Sequence, residues 1–326
     1  MYDENIKKKR CWACRSLSTI KWGKQNQKQR FKCNNCGIFF TSENKSVSKS
    51  NRFIWFKKWV IKRRTLEDLV EESGYSERTL RRYFYDYLCQ PPKLSVYPSK
   101  KVNLLIDGTY FNNDICLVLY RDNSIKFTQL YRLTNRENYA EIKEDLINLL
   151  ELGVQIESVT CDGHKSILKA VKEILPDATL QRCIVHIQRD CRIWLTKNPK
   201  SEAGFYLKQI SGTLHKIDNH YMLSLWLLEL HNWFVKYKDY INEKSFKEET
   251  DRWWYKHKMV RRSFMTMKRA LPYMFQYLSN PRIPKSTNSI ESFFGHMKGH
   301  LNIHRGLSYE HRKQYLKWYL YFKNNP

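Results

Sequence analysis

The chain has 326 residues, 42% of them hydrophobic and 14% aromatic, and a formal net charge of +26. That is enough apolar material for two or three folded units, which excludes wholesale disorder, and no apolar run approaches the ~18 residues of a membrane span. The charged stretch Met1 to Arg10 lacks the apolar core of a secretory signal, and so large a positive excess points to a polyanionic partner such as nucleic acid.

The excess sits at the two ends. Residues 1–64 carry 18 basic and 3 acidic side chains, residues 201–326 carry 21 and 10, and the segments between them are near neutral. Nine cysteines, of which only four have a recognisable spacing, fit a reducing, cytoplasmic setting with a metal site better than a disulfide framework.

The first segment (1–48) pairs Cys11-x-x-Cys14 with Cys33-x-x-Cys36 across 18 residues. Four thiolates in two short knuckles close a tetrahedral shell around one structural Zn²⁺, replacing a core that so short a segment cannot build. Gly37 is placed to turn the second knuckle. Lys21, Trp22, Lys24, Lys28, Arg30, Phe31 and Lys32 mix cations with aromatics, as a surface facing nucleic acid would.

Residues 49–92 read as helices, with Phe53, Ile54, Phe56, Trp59 and Val60 at near-helical spacing. Thr65-x-x-Asp68 forms a capping box, Gly74 a tight turn, and Ser76 the cap of a further helix. This is either a helix-turn-helix, presenting Arg78, Arg81 and Arg82 to DNA, or an ordinary helical hairpin. Residues 97–100 read as a linker. Strands are then expected at 102–106, 115–120, 126–131, 156–161 and 179–183, with helices at 137–150, 164–174 and 187–195. Three strands followed by alternating helix and strand predict an α/β sheet, antiparallel first and parallel later. From 199 to 280 the strand signal disappears, which predicts an all-α insertion. Trp226 and Trp233 are expected to pack within it, while Trp253 and Trp254, among Lys256, Lys258, Arg261 and Arg262, are placed either to pack or to stack on a splayed base. Two further helices, within 281–326, complete the segment.

Asp107 and Asp162 are expected at the ends of the first and fourth strands, each followed by glycine. Converging carboxylates of this kind hold divalent cations, although Asp-Gly is also a turn dipeptide. The third carboxylate is Glu291 in Thr287-Asn288-Ser289-Ile290-Glu291-Ser292, a helix start expected to be capped by Thr287, 129 positions after Asp162. Between them lies Cys183-Ile184-Val185-His186.

These residues, over about 101–326, resemble the Mutator-like DDE transposases of bacterial insertion sequences, in a variant with a zinc-ribbon front end. The tail His304-Arg305-Gly306-Leu307-Ser308 is similar too. The resemblance implies an RNase H-like catalytic domain (101–198 and 281–326) interrupted by the 199–280 insertion and preceded by the zinc ribbon and helix-turn-helix. It implies Asp107, Asp162 and Glu291 as ligands of two Mg²⁺ or Mn²⁺ ions, with Cys183 and His186 as an accessory signature. Cleavage and strand transfer at the element's terminal inverted repeats would follow, on double-stranded DNA and target DNA, by a homodimer or larger assembly on paired ends, without a membrane partner and near the nucleoid. A catalytically silent DNA-binding regulator and an RNase H-like nuclease are the other two readings.

Overall fold

The computed structural model describes residues 9–11, 14, 16–25, 27–41, 45–97, 101–112 and 114–325, with 45–51 described by their backbone alone. Positions 98–100 of the expected linker lie outside these residues. The chain divides into two compact units, one of residues 1–91 with 303–318, the other of 92–302 with 319–326.

In the first unit β1 (Thr19–Gln25), β2 (Lys28–Cys33) and β3 (Phe39–Thr41) form an antiparallel meander. Its core is small: Cys11, Phe31, Cys33 and Phe40. Strand alternation sends Phe31 and Cys33 inward and leaves Arg30 and Lys32 outside. Lys32 lies 5.0 Å from the Trp22 ring and Arg30 lies 5.3 Å from the Phe39 ring. Phe31 therefore does not belong to the cationic surface where the sequence places it. Gly37, at φ 71°, turns the second knuckle and donates to the Cys33 carbonyl.

Three helices follow: α1 (Lys45–Ile61), α2 (Leu66–Ser73) and α3 (Glu77–Leu88). The capping box of Thr65 and Asp68 is present, Gly74 closes α2 at φ 68°, and the Ser76 hydroxyl caps α3. Phe56 stacks on Tyr87 and Trp59 on Phe84. Residues 303–318 complete this aromatic core. His304 Nε2 lies 3.0 Å from the Trp59 carbonyl, the Tyr315 hydroxyl donates to the Val60 carbonyl and Trp318 Nε1 donates to the Tyr87 carbonyl. Of the 304–308 motif, His304 thus packs against helix α1.

The second unit holds a five-stranded mixed sheet of β4 (Val102–Phe111), β5 (Ile115–Asp122), β6 (Phe127–Thr134), β7 (Ile156–Cys161) and β8 (Thr179–Arg182). The order is β6-β5-β4-β7-β8. The first three strands are antiparallel, β7 runs parallel to β4 and β8 parallel to β7. One face carries α4 (Tyr139–Glu151) and α5 (Lys165–Ile174), which bury Ile142, Leu146, Leu149, Ile167 and Val171 against Val102, Leu104, Ile106, Val159 and Cys161. By alternation Asp107 and Asp162 belong to the other face.

Helices α6 (Ile184–Leu195), α7 (Glu202–Gly212) and α8 (His220–Asn242) build a second core with a later helix. Two short antiparallel strands, β9 (Lys244–Lys247) and β10 (Arg252–Tyr255), separate α8 from α9 (Lys258–Met274). The segment expected to be all-α thus contains a β-hairpin. Neighbouring aromatics at 253–255 favour strand, Trp253 pairs across with Phe246, and Asp251 at φ 52° turns the chain. Trp226 and Trp233 are buried, and their indole N–H groups donate to the carbonyls of Ile210 and Ala203. Trp233→Ala is expected to destabilise this unit by about 3–5 kcal/mol, read as a lowered unfolding midpoint.

Finally α10 (Asn288–Leu301) packs beside β4, and the end of α11 (Tyr309–Asn324) fastens the sheet edge. There Asn324 accepts from the Thr128 amide and donates to its carbonyl. No helix among the described residues is long and apolar enough to cross a membrane.

Candidate active site

Asp107 does not end its strand. Pairing with β5 runs on to Phe111, whereas pairing with β7 stops at Ile106–Cys161. Asp107 and Asp162 are therefore the next residues along two neighbouring parallel strands, on the same face, where the parallel ladder has run out. Neither following glycine turns the chain through positive φ. Each makes room instead: a Cβ on Gly108 would stand 1.8 Å from Glu137 Oε1, and one on Gly163 would stand 2.0 Å from Arg182 Nη2.

Glu291 reaches the same face from the first turn of α10. Thr287 is the N-cap residue, but its hydroxyl does not cap the helix as the sequence suggests. Fully buried, it lies 3.5 Å from Cys183 Sγ and 3.4 Å from His186 Nδ1, and the Thr287 amide donates to the same sulfur. The Cys-x-x-His start of α6 and the Thr-Asn-x-x-Glu start of α10 are thereby one structural unit.

Ligand atoms of Asp107, His186 and Glu291 all lie within 4.8 Å of one another. Asp162 is outside that group, and its Oδ1 accepts from the His164 amide at 2.8 Å. His186 Nε2 lies 3.2 Å from Glu291 Oε1, within ion-pair reach but without hydrogen-bond alignment, so this buried oxygen has no hydrogen bond. Arg189 donates to the other oxygen, Oε2, at 2.7 Å.

The electrostatics follow from this crowding. Burial, with Asp162 and Glu291 adding, pushes the Asp107 carboxyl up to about 7 against the pull of His186. Burial opposes the His186 charge, yet Cys183, Asp107 and Asp162 outweigh it and hold the imidazole up at about 9. Burial alone would raise the Cys183 thiol; His186 and Thr287 together bring it below its ordinary value. A clustered, partly desolvated set of carboxylates with one unbonded buried oxygen suits a hard divalent cation, which prefers oxygen ligands.

Two neighbours were not evident in the sequence. Glu137 reads there as the first residue of a helix, but α4 is capped by Asn138. Glu137 lies just before that cap, with its carboxylate against Gly108 and 3.4 Å from His164 Nδ1. Burial, then Asp162, raises its carboxyl. Arg189 did leave a signal, because it stands three residues after His186 on one helical face.

The expected DNA contacts are spread over two places. Arg78, Arg81 and Arg82 are exposed on α3, where Arg81 pairs with Glu77. Lys256 and Lys258 are exposed, although Lys256 pairs with Glu243. Arg262 lies over the Trp194 ring, and Arg261 is occupied by Asn242 and the Tyr255 ring.

The second metal-ligating cluster is Cys11, Cys14, Cys33 and Cys36, whose sulfurs lie within 4.8 Å of one another. Cys11–Cys36 and Cys14–Cys33 are 3.6 and 3.5 Å apart. A tetrahedral zinc with Zn–S near 2.3 Å has sulfur–sulfur edges of about 3.8 Å, so the four cysteines fit one such ion. The Ser16 backbone and the neighbouring thiols bring the Cys14 thiol down to about 6, and the same coupling pushes the Cys36 thiol up.

A family model for "Transposase, Mutator family" matches residues 130–305. No curated protein matches the chain. The matched span begins inside β6, so it leaves out Asp107 and takes in Asp162, Cys183, His186 and Glu291. A match over more than half of the sequence, reaching from the sheet through the insertion to α10, is decisive: the chain belongs to the Mutator family of transposases.

Proposed function

We propose that the chain is a DDE transposase that binds the terminal inverted repeats of its own element and cuts and joins DNA there with Mg²⁺ or Mn²⁺. The observation that carries this is the meeting of Asp107 and Glu291, with Asp162 beside them, at the open end of a parallel strand pair. The sheet order, with three antiparallel strands and two parallel additions, supports an RNase H-like catalytic domain. The zinc-ribbon-like meander and the α2–α3 pair are proposed to read the repeats, with Arg78, Arg81 and Arg82 toward the duplex.

Asp107, Asp162 and Glu291 would hold the cations. Bound there, divalent ions favour ionisation of the attacking water or 3′-hydroxyl and neutralise charge on the leaving oxygen. The protein's own groups do the rest. Asp162 would have to rotate away from the His164 amide to serve as a ligand. Arg189 and His186 hold Glu291 in place from opposite oxygens, and Thr287 fixes His186 to the base of α10. Glu137, set against Gly108 and His164, is a positioning residue for this end of the strand pair.

A plasmid carrying the gene with its flanking DNA tests the proposal. Purified protein with Mg²⁺ or Mn²⁺ is expected to release the segment and leave 3′-hydroxyl ends. Absence of cleavage with either ion, alongside specific binding to the ends, would instead describe a regulator. Gly108→Ala probes Glu137, since the new methyl group must displace its flexible carboxylate. Stability is expected to fall by about 1–3 kcal/mol, while cleavage falls about tenfold or more. Unchanged cleavage would remove Glu137 from the site.

A further inference from the structure

The insertion keeps some aromatics inside and others out. Trp226 and Trp233 are 3% and 4% exposed, whereas Trp253, Trp254 and Phe246 on the β9–β10 hairpin are 53%, 48% and 56% exposed. Two four-residue strands make a marginal structure in water, and three large rings left outside weaken it further. The hairpin is nevertheless firmly rooted. The Lys256 amide donates to the Glu243 carbonyl, His257 lies 3.0 Å from the Glu243 carboxylate and stacks on Tyr240, and Arg261 covers the Tyr255 ring at 3.9 Å. A fixed base thus carries an aromatic tip.

Cations stand beside these rings while the turn itself is acidic: Lys244, Lys247 and Arg252 are matched by Glu248, Glu249 and Asp251, and Lys247 pairs with Glu249 at 3.0 Å. Trp253 and Phe246 oppose each other on one face, with Lys244 4.2 Å from the Trp253 ring; Trp254 stands on the other face with Lys247 and Arg252. Exposed π-faces with interleaved cations match one class of ligand closely. Unpaired bases offer flat rings to stack on, and their phosphates offer charges to neutralise. Paired bases inside a duplex present no free faces to a hairpin.

We propose that the β9–β10 hairpin is a stacking site for unpaired DNA bases, holding a displaced strand beside the cleaved duplex. This rests on the DNA-cleaving reading above and goes further, because it gives the insertion a ligand distinct from the duplex. Trp253 and Trp254 would take bases on opposite faces of the ribbon, and Lys244 and Arg252 would meet the backbone phosphates, Lys247 being held by Glu249.

The test compares a blunt duplex with the same duplex bearing a short unpaired tail that contains 2-aminopurine, titrated with the full chain. Wild type is expected to bind the tailed DNA about tenfold more tightly than the blunt one and to quench the 2-aminopurine. Phe246→Ala/Trp253→Ala/Trp254→Ala is expected to bind tailed DNA roughly 5- to 100-fold more weakly, without quenching, and blunt duplex as before. Because the rings are exposed, its melting should match wild type; Trp254→Ala alone serves as a milder variant with a smaller effect in the same direction.

Equal affinity of wild type and triple variant for tailed DNA overturns the proposal. So does an equal loss on both DNAs, which would mark a duplex-binding ribbon. If the triple substitution turns a dimer into a monomer and leaves the tail preference intact, the patch belongs to a second copy of the chain. Retained duplex binding without any tail preference in wild type defeats this inference alone, whereas binding to neither DNA defeats the transposase reading as well.

Discussion

Asp107→Asn, Asp162→Asn and Glu291→Gln are each expected to lower DNA cleavage by at least about a thousandfold, with duplex binding unchanged. Each substitution keeps the shape and removes the charge, so the several kcal/mol of transition-state stabilisation that enter through a bound cation are lost while the fold is spared. Asp107 shows the separation best. It is 6% exposed, and burial holds its carboxyl up at about 7, so an ionised form is disfavoured in the metal-free protein. An asparagine there still accepts from the Gly108 amide, as Asp107 Oδ1 does at 3.0 Å, and sheds the buried charge. Metal-free Asp107→Asn should therefore melt no lower than wild type. Added Mg²⁺ or Mn²⁺ should then stabilise wild type by about 2.7 kcal/mol at a hundred times Kd, read as a raised melting point, and barely move the melting point of Asp107→Asn or Glu291→Gln. Wild-type cleavage by any one variant removes that residue from the catalytic set. Asp162 is the sharpest case, since its carboxylate faces the His164 amide and has to turn to take part.

Much of the frame was legible because it is local. The Thr65–Asp68 box, the Gly74 and Gly37 turns, the Ser76 cap and the five strand positions all follow from short-range pattern, and the structure has them. What the sequence hid depends on partners far along the chain. β4 is twice as long as its apolar run because β5 pairs with it to Phe111, carrying Asp107 into mid-strand. Glu137 is invisible as a site neighbour because only the closeness of Gly108 reveals it. Thr287 looks like a helix cap because its spacing to Glu291 is that of one, while its hydroxyl is taken by Cys183 and His186 more than 100 residues away. The hairpin at 244–255 escaped because its strands are only four residues each and β10 carries three consecutive aromatics, without the alternation that marks a half-buried strand.

Removing the metal from the four-cysteine cluster is expected to unfold β1–β3 and leave the five-stranded sheet standing. Among the described residues the meander has only Phe31 and Phe40 beside two fully buried cysteines, Cys11 and Cys33, to set against the entropy of ordering the segment. A structural zinc contributes about 10–16 kcal/mol in small zinc-binding folds, more than two phenylalanines can supply. Cys33→Ser should therefore abolish binding of the single zinc expected per chain, and amide protection in β1–β3 should fall to that of an open chain while protection in β4 and β7 stays unchanged. Chelation of wild type should do the same, reversibly. Elemental analysis without zinc, or a Cys33→Ser meander as protected as wild type, would mean that the cysteines are merely neighbours. If instead the meander melts and binding to the element's ends disappears while non-specific DNA cleavage by the sheet domain persists, end recognition lies in the N-terminal unit, and the chemistry depends on the carboxylate cluster alone.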